Sequence, residues 1–200
     1  MTANRVVPVK AVPLILAVAA LAFPALAAEP PEGIRELVQT CAACHGPNGI
    51  SQMPGSPSLA GQPDIFTQYQ LVFMRDGQRE VEVMKEIVKQ LTDDNIRDLG
   101  AWFASLPPPK GLRPKPPVDD AKVKAIMDPR KCANCHKEDF SGQGETGRIA
   151  GQRVDYLVKA LRDFRSGARR GRGMGAMMEV SVTLQDRDIE MIARYLAGKP

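Results

Sequence analysis

The chain has 200 residues, a formal net charge of +4, 44% hydrophobic residues and only 5% aromatic ones. That length allows one or two domains. Halves of about 80 residues with so few aromatics have thin cores, which excludes a self-sufficient apolar interior in each and calls for a staple.

Arg5 and Lys10 form a basic start, and residues 11–23 are apolar except for Pro13. Ala25-Leu26-Ala27 then offers a small-x-small cleavage site. Thirteen apolar residues are too few to cross a hydrocarbon core that needs about twenty, so no stable membrane anchor is expected. No cysteine follows the apolar run, which argues against a lipid-modified amino terminus. Residues 1–27 are expected to be a signal peptide cleaved near Ala27, with the mature chain exported to a periplasm.

The segment from Ile34 to Thr40 has helical character and leads into Cys41-Ala42-Ala43-Cys44-His45; a second such motif is Cys132-Ala133-Asn134-Cys135-His136. Together they use all four cysteines and both histidines. C-x-x-C-H is the attachment signature of covalent c-type haem. On a helical turn the residues at i and i+3 share a face, so two thiols can reach the two vinyl groups of one porphyrin edge. The histidine at i+4 lies on the same side, facing the iron. A thioredoxin-like pair would sit beside a βαβ pattern, which is lacking. Zinc sites space their histidines differently, and disulfides would leave both histidines unexplained. Two haem c groups are the simplest account. An exported chain with these motifs is not expected to bind nucleic acid.

Between and after the motifs, Asp64 opens a segment with Ile65, Phe66, Tyr69 and Phe73 at helical spacing, ending near Gly77. Ile96, Leu99 and Phe103 mark another helix, matched by Ile189, Ile192 and Leu196. Asp93, Asp94, Asp186 and Asp188 suit first turns, where the helix dipole is positive. Residues 107–117 contain six prolines in eleven positions, an extended connector that is either a loose tether or a strap across an interface. No strict alternation points to a sheet.

The halves align. Cys41 maps to Cys132 at an offset of 91, Leu59-Ala60-Gly61-Gln62 to Ile149-Ala150-Gly151-Gln152 at 90, and Leu91 to Leu184 at 93. This is a tandem duplication of one fold, with a period far longer than a solenoid unit. With both histidines used, each iron's remaining position is left to methionine, lysine, a weaker donor or an open site. Met84 and Met177 each lie seven residues before the matched leucines, so the repeat pairs them. A thioether is a soft iron ligand that raises the potential relative to an imidazole pair. The alternative is core filling, the usual role of a buried methionine. The Pro57 carbonyl is placed to accept from His45, with Gly147 near the corresponding position. Gln62 and Gln152 read equally well as propionate ligands or helix caps.

Charge divides unevenly. Residues 28–108 carry 6 basic and 11 acidic side chains (6 − 11 = −5), and residues 109–200 carry 19 and 12 (19 − 12 = +7). Such a dipole orients a molecule as it meets a charged partner. Arg165, Arg169, Arg170 and Arg172 read either as a docking patch or as a solvated glycine-rich loop.

Both C-x-x-C-H motifs, the Leu59–Gln62 and Ile149–Gln152 stretches, Met84 and Met177, and two Leu-x-Asp-x-x-Ile segments together resemble the dihaem cytochrome c4 family of class I c-type cytochromes. The resemblance covers nearly the whole mature chain. It implies an all-α protein of two tandem class I cytochrome c domains, each wrapped around one covalent haem c, residues 28–106 and 118–200 joined by the proline-rich 107–117. By that resemblance Cys41, Cys44, Cys132 and Cys135 hold the porphyrins, His45 and Met84 ligate one iron, and His136 and Met177 the other. The sequence departs from the family around residues 168–178, where an arginine- and glycine-rich loop leaves Met174 and Met178 as competitors of Met177. The implied role is a periplasmic electron carrier of the respiratory chain, not an enzyme. Its partners would be membrane or periplasmic redox proteins, with electrons passing toward a terminal oxidase and no small-molecule substrate. The alternative is the dihaem electron-accepting subunit of a periplasmic dehydrogenase such as a sulfide-oxidising flavocytochrome. A third class, peroxide or gas chemistry, requires a haem lacking its methionine.

Overall fold

The computed structural model describes residues 29–111, 118–171 and 173–200; these form helices and connecting loops, with one isolated bridge, between Gln143 and Thr146. The expected signal peptide, Arg172 and residues 112–117 of the connector lie outside the described residues.

One arrangement is built twice. In the first half, α1 (Arg35–His45) carries the first motif, followed by α2 (Asp64–Arg75), α3 (Glu82–Val88) and α4 (Asp93–Ser105). In the second, α5 (Asp120–Met127) and the short α6 (Cys132–His136) precede α7 (Val154–Ser166), α8 (Gly175–Val182) and α9 (Asp186–Ala197). α4 packs on α2 as α9 packs on α7, and α3 and α8 sit against the same two helices.

The acidic first turns are where the sequence puts them, and both closing helices are capped reciprocally. The Asn95 N–H donates to Thr92 Oγ1 at 3.1 Å while the Thr92 N–H donates to Asn95 Oδ1 at 3.0 Å. Gln185 and Asp188 do the same at α9. Such caps satisfy amide donors that a helix start leaves free, each contributing about 1 kcal/mol. A matched clamp ties each pair of long helices. Arg75 reaches the Leu91 carbonyl at 3.2 Å and Asp93 at 2.8 Å. Its counterpart Arg165 reaches the Leu184 carbonyl at 2.9 Å and Asp186 at 2.7 Å.

The apolar faces of α1, α4 and the preceding turn bury Ile34, Val38, Ile96, Leu99 and Phe103. Their equivalents bury Val123, Leu157, Ile189, Ile192 and Leu196. Each such side chain contributes about 1.5–3 kcal/mol by leaving water. A third cluster straddles the halves, with Phe73 of α2 against Phe164 of α7 and Met174.

Two features go beyond what the sequence settled, a break before the second motif and the choice of strap over tether for the connector. The helix entering the second motif is broken where α1 is continuous: α5 stops at Met127, residues 128–130 form a 3-10 turn, and Lys131 takes φ +53° before α6 begins. Pro129 lies in this turn, and the Arg130 guanidinium donates to the Ile126 carbonyl at 2.7 Å, the acceptor its own N–H would serve in an unbroken helix. The start of the connector is a strap. A Cβ on Gly61 would lie 2.7 Å from Pro108, and one on the matched Gly151 would lie 2.8 Å from the Pro109 carbonyl oxygen, so the chain passes closely over both halves.

Candidate haem-attachment sites

Both motifs lie at helix ends, as the spacing requires. Cys41 and Cys44 are half-buried on α1; Cys132 is half-buried and Cys135 exposed on α6, and none of the four is tied up in a disulfide. Burial pushes the Cys41 thiol up to about 11 and raises Cys132 as well. Before attachment both are therefore protonated at neutral pH.

The histidines are held alike. His45 is buried, and its Nδ1 lies 2.8 Å from the Pro57 carbonyl oxygen. His136 Nδ1 lies 2.8 Å from the Gly147 carbonyl oxygen, so the second half uses a glycine carbonyl where the first uses a proline one. A carbonyl oxygen only accepts, so in each ring Nδ1 carries the proton and Nε2 keeps its lone pair. Burial lowers the pKa of both imidazoles against the opposing pull of these carbonyls, leaving them neutral at pH 7. That is the protonation state a metal ligand needs.

Met84 is the third residue of α3 and Met177 the third residue of α8. Both are half-buried, Met84 against the first core and Met177 against the inter-half cluster. The competitors are placed differently. Met174 precedes α8 and is buried with Phe73 and Phe164, while Met178 has its Cε 3.9 Å from where a Cβ on Gly167 would stand. Met74 and Met191 pack against the two cores, and Met53 is exposed.

Gln62 and Gln152 take a role that was not read from the sequence, beside a bond from the Arg153 N–H at the start of α7 to Gln152 Oε1 at 3.0 Å. Each crosses to the other half. Gln152 Oε1 accepts from the Ser58 N–H at 2.8 Å and its Nε2 donates to the Ser58 carbonyl at 2.9 Å. Gln62 makes the same pair of bonds with Arg148, both at 2.9 Å. This reciprocity of repeat-matched residues is what a twofold-related interface produces. Local sequence carried no signal for it, because the partner lies about ninety positions away.

The arginine loop is likewise not one docking patch. Arg165 serves the clamp on α9, and Arg169 is 7% exposed at the interface between halves. Arg169 and its counterpart Arg79 converge: both donate to Gln70 Oε1, at 2.8 and 2.7 Å, and both approach the Tyr156 hydroxyl, at 3.5 and 3.4 Å. Burial alone would raise the Tyr156 phenol, but the two guanidiniums overcome it and bring it down to about 8. Arg169 Nε and Gln70 Nε2 have no hydrogen-bond partner. A cationic pair with its Arg169 member buried, and spare donors on Arg169 and Gln70, suits the propionate carboxylates that haem c brings, so the residues present fit the group.

Comparison with known proteins agrees. Residues 28–103 match the family described as cytochrome C oxidase, cbb3-type, subunit III, and residues 121–199 match cytochrome c. Cytochrome c4 of Pseudomonas aeruginosa is 31% identical over 166 residues, covering 79% of this chain and 83% of that protein. The chain belongs to the dihaem cytochrome c4 family. The crystal structure of reduced recombinant cytochrome c4 from Pseudomonas stutzeri superposes with a TM-score of 0.74 at 28% identity, covering 86% of this chain and all of that one. A thiosulfate dehydrogenase electron acceptor from Thiomonas intermedia is 29% identical over 184 residues, covering 87% of this chain and 82% of that protein. As a cytochrome c4 the molecule is an electron carrier, not a catalyst, with two tandem cytochrome c domains and two covalent haem c groups.

Proposed function

We propose that this cytochrome c4 is a periplasmic carrier in which His45 and Met84 ligate one iron and His136 and Met177 the other, with Cys41, Cys44, Cys132 and Cys135 holding the porphyrins. Residues 28–106 and 118–200 are the units assigned to the two haems, and electrons pass between respiratory partners toward a terminal oxidase. The observation that supports the ligand set is the matched register of Met84 and Met177, each third in a short helix packed on the corresponding helix of its own half, α2 or α7. Bound haem c supplies the Fe(II)/Fe(III) couple. The chain's part is to present a neutral imidazole Nε2 and a thioether, and to supply guanidiniums for the carboxylates. Closing both coordination positions with protein atoms leaves outer-sphere electron exchange as the chemistry.

A second reading, electron acceptor of a periplasmic dehydrogenase, is favoured by the likeness to the Thiomonas intermedia protein. Stopped-flow spectroscopy separates the two. Rapid oxidation of the reduced protein by oxidase-containing membranes, with no reduction by thiosulfate dehydrogenase and thiosulfate, supports the oxidase route. Rapid reduction by that dehydrogenase supports the second reading, and inertness toward both rejects both.

A further inference from the structure

We propose that Gln62 and Gln152 are positioning residues that each tune the haem of the opposite domain, through a hydrogen-bond relay across a single peptide group. The inference rests on His45 and His136 being the iron ligands proposed above.

The Pro57 carbonyl and the Ser58 N–H belong to one planar peptide. Its oxygen accepts from His45 Nδ1 at 2.8 Å, and its N–H donates to Gln152 Oε1 at 2.8 Å. In the other direction, the Gly147 carbonyl accepts from His136 Nδ1 at 2.8 Å, and the Arg148 N–H of that same peptide donates to Gln62 Oε1 at 2.9 Å. Amide resonance couples the two ends: an acceptor on the N–H draws negative charge onto the oxygen, which then binds the imidazole proton more strongly. Such cooperative strengthening is about 10–30% per bond. A firmer hold on Nδ1–H gives the ring more anionic character and makes Nε2 a better donor, favouring the ferric state.

Three details make the relay specific. Each glutamine's Nε2 donates to the next carbonyl along, Ser58 or Arg148, which fixes the amide oxygen toward the N–H. Ser58, Gln62 and Gln152 are all buried, so water does not compete. The Phe66 ring covers the second peptide so closely that a Cβ on Gly147 would lie 2.7 Å from it. Each domain therefore sets part of the other's redox potential, and undocking would loosen both histidines together.

The test is Q62M and Q152M in the holoprotein, with the two potentials assigned to their haems by NMR and the histidine Nδ1–H resonances followed in the ferrous state. Q62M is expected to raise the potential of the second haem and move the His136 Nδ1–H resonance, with the first haem unmoved. Q152M is expected to do the reverse. The shift should stay below about tenfold in the Fe(III)/Fe(II) equilibrium constant, which is about 59 mV for one electron. Q62E, which keeps an acceptor facing the Arg148 N–H, should cancel the rise. A shift at the haem of the mutated domain, equal shifts at both, or no shift would overturn the relay while leaving the ligand assignment intact. A wild-type ferric spectrum lacking histidine–methionine ligation would overturn both.

Discussion

The turn after each C-x-x-C-H motif has one backbone in the two halves and different side chains. In the first half it uses Gly46 (φ +84°) and Gly49 (φ +69°); in the second the same positions are Lys137 (φ +68°) and Phe140 (φ +57°). The hydrogen bonds are matched: residue 49 donates to the carbonyl of 46 at 2.9 Å as 140 does to 137 at 3.1 Å. The carbonyls of 49 and 140 each accept from the two residues that open the Gly-Gln stretch. A Cβ at Gly49 would meet the Ala60 nitrogen at 3.0 Å and the Phe103 ring at 3.2 Å. The second half has Leu196 where the first has Phe103. Its ring comes instead from Phe140, buried and edge-on to Tyr195 at 6.2 Å. The apolar volume has changed chain position while the turn has kept its shape. The geometry carrying the carbonyl toward the histidine is thus the retained feature, and the second half tolerates backbone strain to keep it.

The largest effect should come from removing the relocated ring. Phe140→Ala is expected to cost the second domain about 3–5 kcal/mol in denaturant unfolding followed at each haem, with the first domain little changed. Gly49→Ala should destabilise the first domain by about 1–3 kcal/mol, since it adds both positive-φ strain and a close contact. Lys137→Gly should act oppositely: φ +68°, ψ 165° is glycine territory, and relief of strain is expected to stabilise the second domain by about 1 kcal/mol.

The smallest effect tests the contact between halves. Asp155 accepts from the Gly55 N–H at 2.7 Å. Burial would raise its carboxyl, but Arg153 and that N–H outweigh it and hold the carboxyl below its ordinary 3.8. A group depressed on folding stabilises above its unfolded value and loses that contribution as pH falls through the folded one. Unfolding midpoints should therefore drop on acidification through the carboxylate range, and Asp155→Asn should flatten the drop. An unchanged acid limb in Asp155→Asn would show that the contact carries no weight.

Much of this architecture was legible because it is local or repeated. The haem motifs, α2, α4, α9 and the pairing of Met84 with Met177 follow from spacing and from comparing one half with the other. What could not be read depends on meetings between distant residues. Gln62 and Gln152 look like propionate ligands or helix caps until the Arg148 and Ser58 peptides are brought opposite them. Arg169 looks like surface charge until Tyr156 and Gln70 enclose it. The short α3 escaped notice because its Val83 is 69% exposed, and α8 because its apolar residues are not confined to one face.

The central claim is that each iron is closed by one histidine and one methionine. It is tested most directly by carbon monoxide titration of the reduced holoprotein, alongside Met84→Ala and Met177→Ala. The account predicts no rapid binding to the wild type and one equivalent to each variant, at the first haem for Met84→Ala and the second for Met177→Ala. Rapid stoichiometric binding at both centres of the wild type would contradict it.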